Sequence, residues 1–125
     1  MRAPGVEHMS FRFEPRDRLR KRPEFVRVQA QGRRVTGRFV TFLILANDCT
    51  VPRLGLIASR KLGPSVTRNR AKRRLRELFR RHRDAVGRDA ALDIVAIPRR
   101  ELSVAPFSDV EADFVTTLRR CRPHA

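Results

Sequence analysis

Between Val66 and Val86 the apolar residues recur every three or four positions, and the residues separating them are nearly all cationic. At about 100° per residue, Ala71, Leu75, Leu78, Phe79 and His82 fall in one stripe, the mark of a helix with a buried face. Asn69, Arg70, Arg73, Arg76, Glu77 and Arg80 fall on the opposite side, and Arg68 lies nearer the apolar side. Ser65 or Thr67 is placed to cap the helix start. From Ser59 to Arg83 the chain has eleven Lys/Arg and one acid. A solvated helix usually alternates sign, because like charges four residues apart repel by a few tenths of a kcal/mol. Here Arg70/Arg74, Lys72/Arg76 and Arg76/Arg80 repel, and only Arg73/Glu77 attracts. Such a face is poor for an isolated helix and well matched to a row of phosphates.

The whole chain carries the same excess. Its formal net charge is +16 over 125 residues, supplied almost entirely by Arg, with Lys only at 21, 61 and 72. Self-repulsion of that size destabilises a compact state, so the charge implies an anionic partner. A nucleic acid is the expected one and an anionic membrane surface is the competitor. The guanidinium fork suits phosphate and also stacks on bases. At 41% hydrophobic residues there is enough for a core of modest size. The aromatic set is eight Phe with no Trp or Tyr, rings that fill a core or stack on a base. Cys49, Cys121 and three scattered His lack zinc-ligand spacing, so two reduced thiols are expected. No apolar run resembles a signal peptide or a membrane span, and a cytoplasmic location is expected. Residues 1–14 mix Gly, Pro and charge without period and are expected to be a disordered extension before a single domain at 15–122.

Lys21 to Gln31 reads as a first helix, with Pro23 and Glu24 in its first turn and Gly32 ending it. Arg33 to Thr36 leads past Gly37 into Phe39–Leu45, a β-branched and aromatic strand. Phe39, Thr41, Leu43 and Leu45 share one face of it; Val40, Phe42 and Ile44 share the other. Residues 47–52 form a loop. Arg53–Ala58 is the next strand, expected to pair antiparallel with the first as a hairpin. Gly63 and Pro64 mark the connector to the long helix. Residues 87–89 form a turn before the strand Leu92–Ile97. Ser108 and Glu111 have capping-box spacing for a last helix with Phe107, Val110, Phe114, Val115 and Leu118 on its apolar side. The order α-β-β-β-α-β-α predicts an α+β fold, a small four-stranded sheet packed with about three helices.

The stretch Arg53–Phe79, reading RLGLIASRKLGPSVTRNRAKRRLRELF, resembles the protein subunit of bacterial ribonuclease P. That family has a strand ending in a basic pair, then a Gly-containing connector, then Arg-Asn-Arg-x-Lys-Arg-x-x-Arg. Arg-Asn-Arg alone is a weak signal; the spaced set after that strand is highly specific. The likeness extends from about Arg18 to Leu118, with Arg18–Lys21 and Pro23–Phe25 resembling the entry to the family's first helix and Leu92–Arg99 its last strand. Two positions depart from the pattern: Gln29 stands where a second aromatic is frequent, and Phe42 where the strand aromatic is often Tyr.

The resemblance implies an α/β sandwich with a left-handed βαβ crossover through the basic helix. It implies an RNA-binding protein that assists endonucleolytic removal of the 5′ leader of precursor tRNA in a bacterial ribonucleoprotein, the protein itself being monomeric. The catalytic RNA would hold the Mg²⁺ ions and do the hydrolysis, and the protein would be a non-catalytic subunit. Arg60, Lys61, Arg68, Asn69, Arg70, Lys72, Arg73 and Arg76 are its implied contacts to RNA. Phe25, Phe42 and Arg99 are implied contacts to the leader, with core packing the open alternative for both Phe. The acids are scattered, and His8, His82 and His124 form no pair, so neither a two-metal carboxylate site nor a histidine-based nuclease is indicated. A general RNA-binding module shares the charge but does not need the spaced signature.

Overall fold

The computed structural model describes residues 18–19, 22–47, 52–87 and 91–122. Their elements run α1 (Arg22–Gln31), β1 (Arg33–Thr36), β2 (Val40–Ala46), β3 (Arg53–Leu56), α2 (Ser65–His82), β4 (Leu92–Pro98) and α3 (Phe107–Arg119). The expected order is therefore met. Expectations for residues 1–14, Lys21, Cys49, and parts of the 47–52 loop and the 87–89 turn lie outside the described residues.

The sheet order is β1-β2-β4-β3, antiparallel except for the parallel pair β3–β4. The expected hairpin between the second and third strands is thus corrected. β2 pairs with β1 on one side and with β4 on the other, and β3 reaches the sheet only through β4. Composition explains the choice. β2 and β4 are the two long apolar strands, and pairing them over seven residues puts both in the middle, where each face is covered. β3 is four residues with Arg53 at one end, which suits an edge. Its outer side is partly closed by a bridge from Arg18 and by the Leu19 N–H donating to the Leu54 carbonyl at 2.9 Å.

Alternation along β2 decides the two layers. Leu43 joins Leu19, Val28 and Val95 under α1, with Leu45 and Phe25 packed against them. Val40, Phe42 and Ile44 point the other way into the larger core with Leu75, Leu78, Phe79, Phe114 and Leu118 of α2 and α3. Among the described residues, one helix therefore covers one face of the sheet and two cover the other. Phe39 breaks the expected alternation. It precedes β2 in the turn at Gly37, sits in the larger core, and its N–H donates to Asp113 of α3 at 2.8 Å.

The helix starts differ from expectation. α2 begins directly after Pro64, with no side chain of Ser65 or Thr67 capping it. α3 begins at Phe107 after Pro106, so Ser108 lies within the helix and the capping box does not form. Glu111 turns instead to His82 Nε2, 2.6 Å away, and ties α3 to the end of α2. Cys121 is buried beyond α3, and burial pushes its thiol up to about 12, so it stays protonated at neutral pH.

One charged network lies within the fold. Arg53 donates through Nε and Nη2 to both oxygens of Asp93, each at 2.9 Å, and through Nη1 to Glu24 at 3.1 Å. Asn47 adds a third hydrogen bond to Asp93, which is 2% exposed. The group clamps β3, β4 and α1 together. Arg53→Ala leaves a buried carboxylate with one neutral donor, and the expected loss is about 3 kcal/mol, read as a fall in urea midpoint at unchanged slope. An unchanged midpoint would mean that water takes over from Arg53.

Candidate nucleic-acid interface

α2 is built as expected on its buried side: Ala71, Leu75, Leu78 and Phe79 have no exposed surface. His82, the last member of that stripe, is half-buried against Glu111. The cationic side divides into two halves with different employment. In the second half, Glu77 receives hydrogen bonds from Arg80 and Arg81. The bond from Arg80 is the main cause that holds its carboxyl below the ordinary range, so Glu77 is charged at neutral pH and offsets both. Arg81 also reaches Glu111 at 3.6 Å. Arg74 is used inside the fold: it donates to the carbonyls of Leu102 and Ala105, each at 2.8 Å, with its guanidinium 5.6 Å from the Phe107 ring centre.

The first half is uncompensated. Among the described residues, Arg68, Arg70, Lys72, Arg73 and Arg76 form no ion pair. Asn69, Arg70 and Arg73 are exposed, while Arg68, Lys72 and Arg76 are partly covered. The buried Nε of Arg68 has no hydrogen-bond partner. Burial first, and the charge of Arg18 second, hold Arg76 below the usual arginine range. Arg18 and Arg76 line the same depressions, and their like charges oppose each other.

Beside this half runs a furrow. Its wide part, about 490 Å³, is lined by Arg22, Phe25, Val26, Gln29, Leu56, Ile57, Ala58 and Lys72. A narrower part of about 190 Å³ shares Phe25, Leu56 and Lys72 and adds Arg18, Leu19, Leu54 and Arg76. A third depression shares Arg18 and Arg76 and reaches Arg73, Glu77 and Arg80. The floor is therefore α1 and β3, apolar with one aromatic ring, and the wall is the bare half of α2. Gly55 makes the floor possible. A Cβ there would lie 2.6 Å from Cε1 of Phe25, so only glycine lets the ring rest on the strand. Gly63, at φ 136°, takes a backbone conformation open to glycine between the Arg60–Leu62 turn and α2.

The expected site residues distribute as follows. Phe25, Lys72 and Arg76 line the furrow together, and Arg73 borders its far end. Arg60 and Lys61 are exposed on the turn that leads into α2. Arg99 is exposed just after β4, with its N–H donating to the Phe39 carbonyl, and is not among the lining residues. Phe42 requires correction: it has no exposed surface, lies on the opposite face of the sheet, and meets Phe114 edge-on at 5.3 Å between ring centres. A ring without exposed area offers no face to a base. Sequence reading missed Arg18, Arg22, Val26 and Leu56–Ala58 as lining. Gln29, singled out by its position one helical turn after Phe25, does line the furrow. Arg18 was not, because its place depends on the bridge to β3.

Among the described residues no group of three or more His, Cys, Asp or Glu is placed to hold a metal ion, and no helix is long and apolar enough to cross a membrane. The arrangement brings cations without ion-pair partners beside a furrow that holds the half-buried ring of Phe25.

Comparison with known proteins agrees in family and fold. The family model described as Ribonuclease P matches residues 13–122. The ribonuclease P protein component of Thermotoga maritima is 36% identical over 95 residues, 76% of this chain and 80% of that protein. That of Syntrophus aciditrophicus is 36% identical over 94 residues, covering 75% and 77%. Among solved structures, the Thermotoga maritima RNase P protein superposes with a TM-score of 0.74 at 33% identity, covering 82% of this chain and 96% of that one. The Staphylococcus aureus RNase P protein gives 0.73 at 28% identity, covering 83% and 94%.

Proposed function

The chain belongs to the ribonuclease P protein family, and from that premise we propose that it binds the catalytic RNA through the bare half of α2 and the 5′ leader of precursor tRNA in the furrow beside it. The observation that carries the reading is the adjacency of the two surfaces. An uncompensated cationic helix face forms the wall of a furrow whose floor holds one ring and an apolar strand edge. A structured RNA presents phosphates in rows, which suits Arg68, Asn69, Arg70, Lys72, Arg73 and Arg76, with Arg60 and Lys61 at the entry. A single strand presents bases with free faces, which suits Phe25 on Gly55, with Gln29 and Val26 beside it. Arg99 lies beyond the lining residues and would meet only a leader that leaves the furrow past β4.

The physical service is charge. Catalytic RNA and precursor tRNA are both polyanions, and bringing them together normally requires screening by salt or Mg²⁺. A protein of net charge +16 supplies fixed counter-charge, and the release of condensed ions drives assembly. In this reading the Mg²⁺ ions and the hydrolysis belong to the RNA, and the protein, a monomer in the cytoplasm, acts by positioning the leader.

The test is cleavage of a precursor tRNA by bacterial ribonuclease P RNA at low Mg²⁺, with and without the protein. Cleavage at the mature 5′ end only when both are present is the expected result. Cleavage by the protein alone would place the chemistry on the protein. No rescue by folded, RNA-binding protein with its cognate RNA would reduce it to a general RNA-binding module.

A further inference from the structure

A second set of guanidiniums sits at the other edge of the sheet, on β1 and the C-terminal end of α3. Arg33, Arg119, Arg120 and Arg122 are all exposed there. Among the described residues none of the four forms an ion pair. They share this with the first half of α2 and differ from Arg53, Arg80 and Arg81, each of which is offset by a carboxylate. At this edge arginines are held by backbone instead. Arg120 Nη1 donates to the Thr36 carbonyl at 3.0 Å, and Arg122 Nε to the Ala85 carbonyl at 2.8 Å. Such bonds fix a guanidinium in place without cancelling its charge. Arg33 of β1 and Arg120 lie near enough to Cys121 for both charges to act on its thiol. The sequence supplies no counter-charge nearby on the strands: Phe25 to Asn47 contains no Asp or Glu. The segment between α2 and β4 has two acids, Asp84 and Asp89, and α3 adds Asp113, whose carboxylate accepts from the Arg38 and Phe39 N–H groups.

Cations at a helix C-terminus favour the helix dipole, which accounts for one or two of these residues. It does not account for Arg33, which comes from a strand, nor for holding two guanidiniums through carbonyls of other elements. The set also cannot share phosphates with the start of α2. Ala85, which receives Arg122, follows Arg68 by 17 positions of a chain that is helical to His82, roughly 25 Å at 1.5 Å per residue. That is about three screening lengths at physiological salt.

We infer that Arg33, Arg119, Arg120 and Arg122 form a second contact for an RNA phosphate backbone, on an RNA segment other than the one gripped by α2. The inference rests on the reading that this chain binds ribonuclease P RNA. Through it the protein clamps two RNA segments on opposite edges of its sheet.

The test compares Arg33→Gln/Arg119→Gln with Arg70→Ala/Arg73→Ala in binding to ribonuclease P RNA across a salt series, with hydroxyl-radical footprinting of each complex. Among the described residues, the side chains of Arg33 and Arg119 make no hydrogen bond within the fold, and the substitutions leave the backbone bonds in place, so the double variant should keep the thermal midpoint of the parent. The expected result is a slope of log affinity against log salt reduced by about 1.5 units, with loss of a protected RNA segment that the α2 variant leaves protected. Arg33→Lys/Arg119→Lys should retain both. Unchanged slope and footprint in the Gln variant, with the α2 variant weakened, would overturn the second contact and leave the proposed function standing. A reduced slope with loss of the same segment as the α2 variant would overturn it as a separate contact. If neither variant changes binding, the RNA-binding reading falls, and this inference with it. Should the double variant not fold, Arg119→Gln alone carries the same test at half the slope change.

Discussion

Replacing Arg70 and Arg73 together with alanine is expected to weaken binding to ribonuclease P RNA and to flatten its salt dependence by about 1.5 units, while the free protein becomes slightly more stable. Both residues are exposed and neither forms an ion pair, so their loss removes nothing that the fold uses. Each guanidinium that neutralises one phosphate contributes roughly 0.7 to 0.9 to the slope of log affinity against log salt, which sets the size of the change. The gain in stability has its own cause. Arg70 lies one turn before Arg74, which is pinned to the carbonyls of Leu102 and Ala105 and cannot move away. Removing a like charge at that spacing relieves a few tenths of a kcal/mol, and alanine is the better helix former. A function-bearing surface shows this opposition of signs: affinity falls as stability rises. Arg80→Ala should behave in the reverse way, because Arg80 hydrogen-bonds Glu77 and its loss takes away an internal partner. Titration of the RNA at several salt concentrations, with a thermal melt of each free variant, measures both quantities. A salt slope unchanged by Arg70→Ala/Arg73→Ala would remove the bare half of α2 as the RNA surface.

How much of this was legible in the sequence depends on the range of the interactions involved. The buried stripe of α2 follows from a period of 3.6, and Ala71, Leu75, Leu78 and Phe79 are where that period puts them. The two faces of β2 follow from a period of two. Strand partnership is not a local property, and there the expectation failed. Arg53–Ala58 looked like the return arm of a hairpin, yet the more apolar Leu92–Pro98 takes the place beside β2 and leaves the arm, shortened to Arg53–Leu56, at the edge. The same limit applies at the site. The row of cations on α2 was visible because a helix orders its own residues. That Arg74 turns inward, that Glu77 silences the second half, and that Arg18 lines the same depression as Arg76 all depend on neighbours distant in sequence or on rotamers. The caps failed for a related reason: Pro106 and Phe107 start α3 early, because Phe107 is wanted against Arg74 and Arg81, and Glu111 is drawn to His82.

The two phenylalanines that the sequence alone left undecided between groove and core separate cleanly by position, and their alanine variants should separate by what they lose. Phe42 has no exposed surface and packs edge-on against Phe114, with Val40, Ile44 and Ile94 in the same core. Deleting its ring opens a cavity between β2 and α3, on a strand paired on both sides, so the walls have little freedom to collapse. The expected cost for Phe42→Ala is about 3 to 5 kcal/mol, a large part of the stability of a domain this size. Phe25 is half-buried, rests on Gly55, and turns part of its ring to the furrow. Phe25→Ala should cost the fold less than Phe42→Ala and remove a stack worth roughly 1 to 3 kcal/mol of leader affinity. The informative comparison uses precursor tRNA against mature tRNA lacking the leader, both with the assembled ribonucleoprotein. Phe25→Ala should lower affinity for the first and leave the second unchanged, because only the first places a base in the furrow. Phe42→Ala, measured well below its lowered melting temperature, should treat the two substrates as the parent does. Equal losses on both substrates for Phe25→Ala would mean that the ring only holds α1 on the sheet, and the leader would then have to run elsewhere.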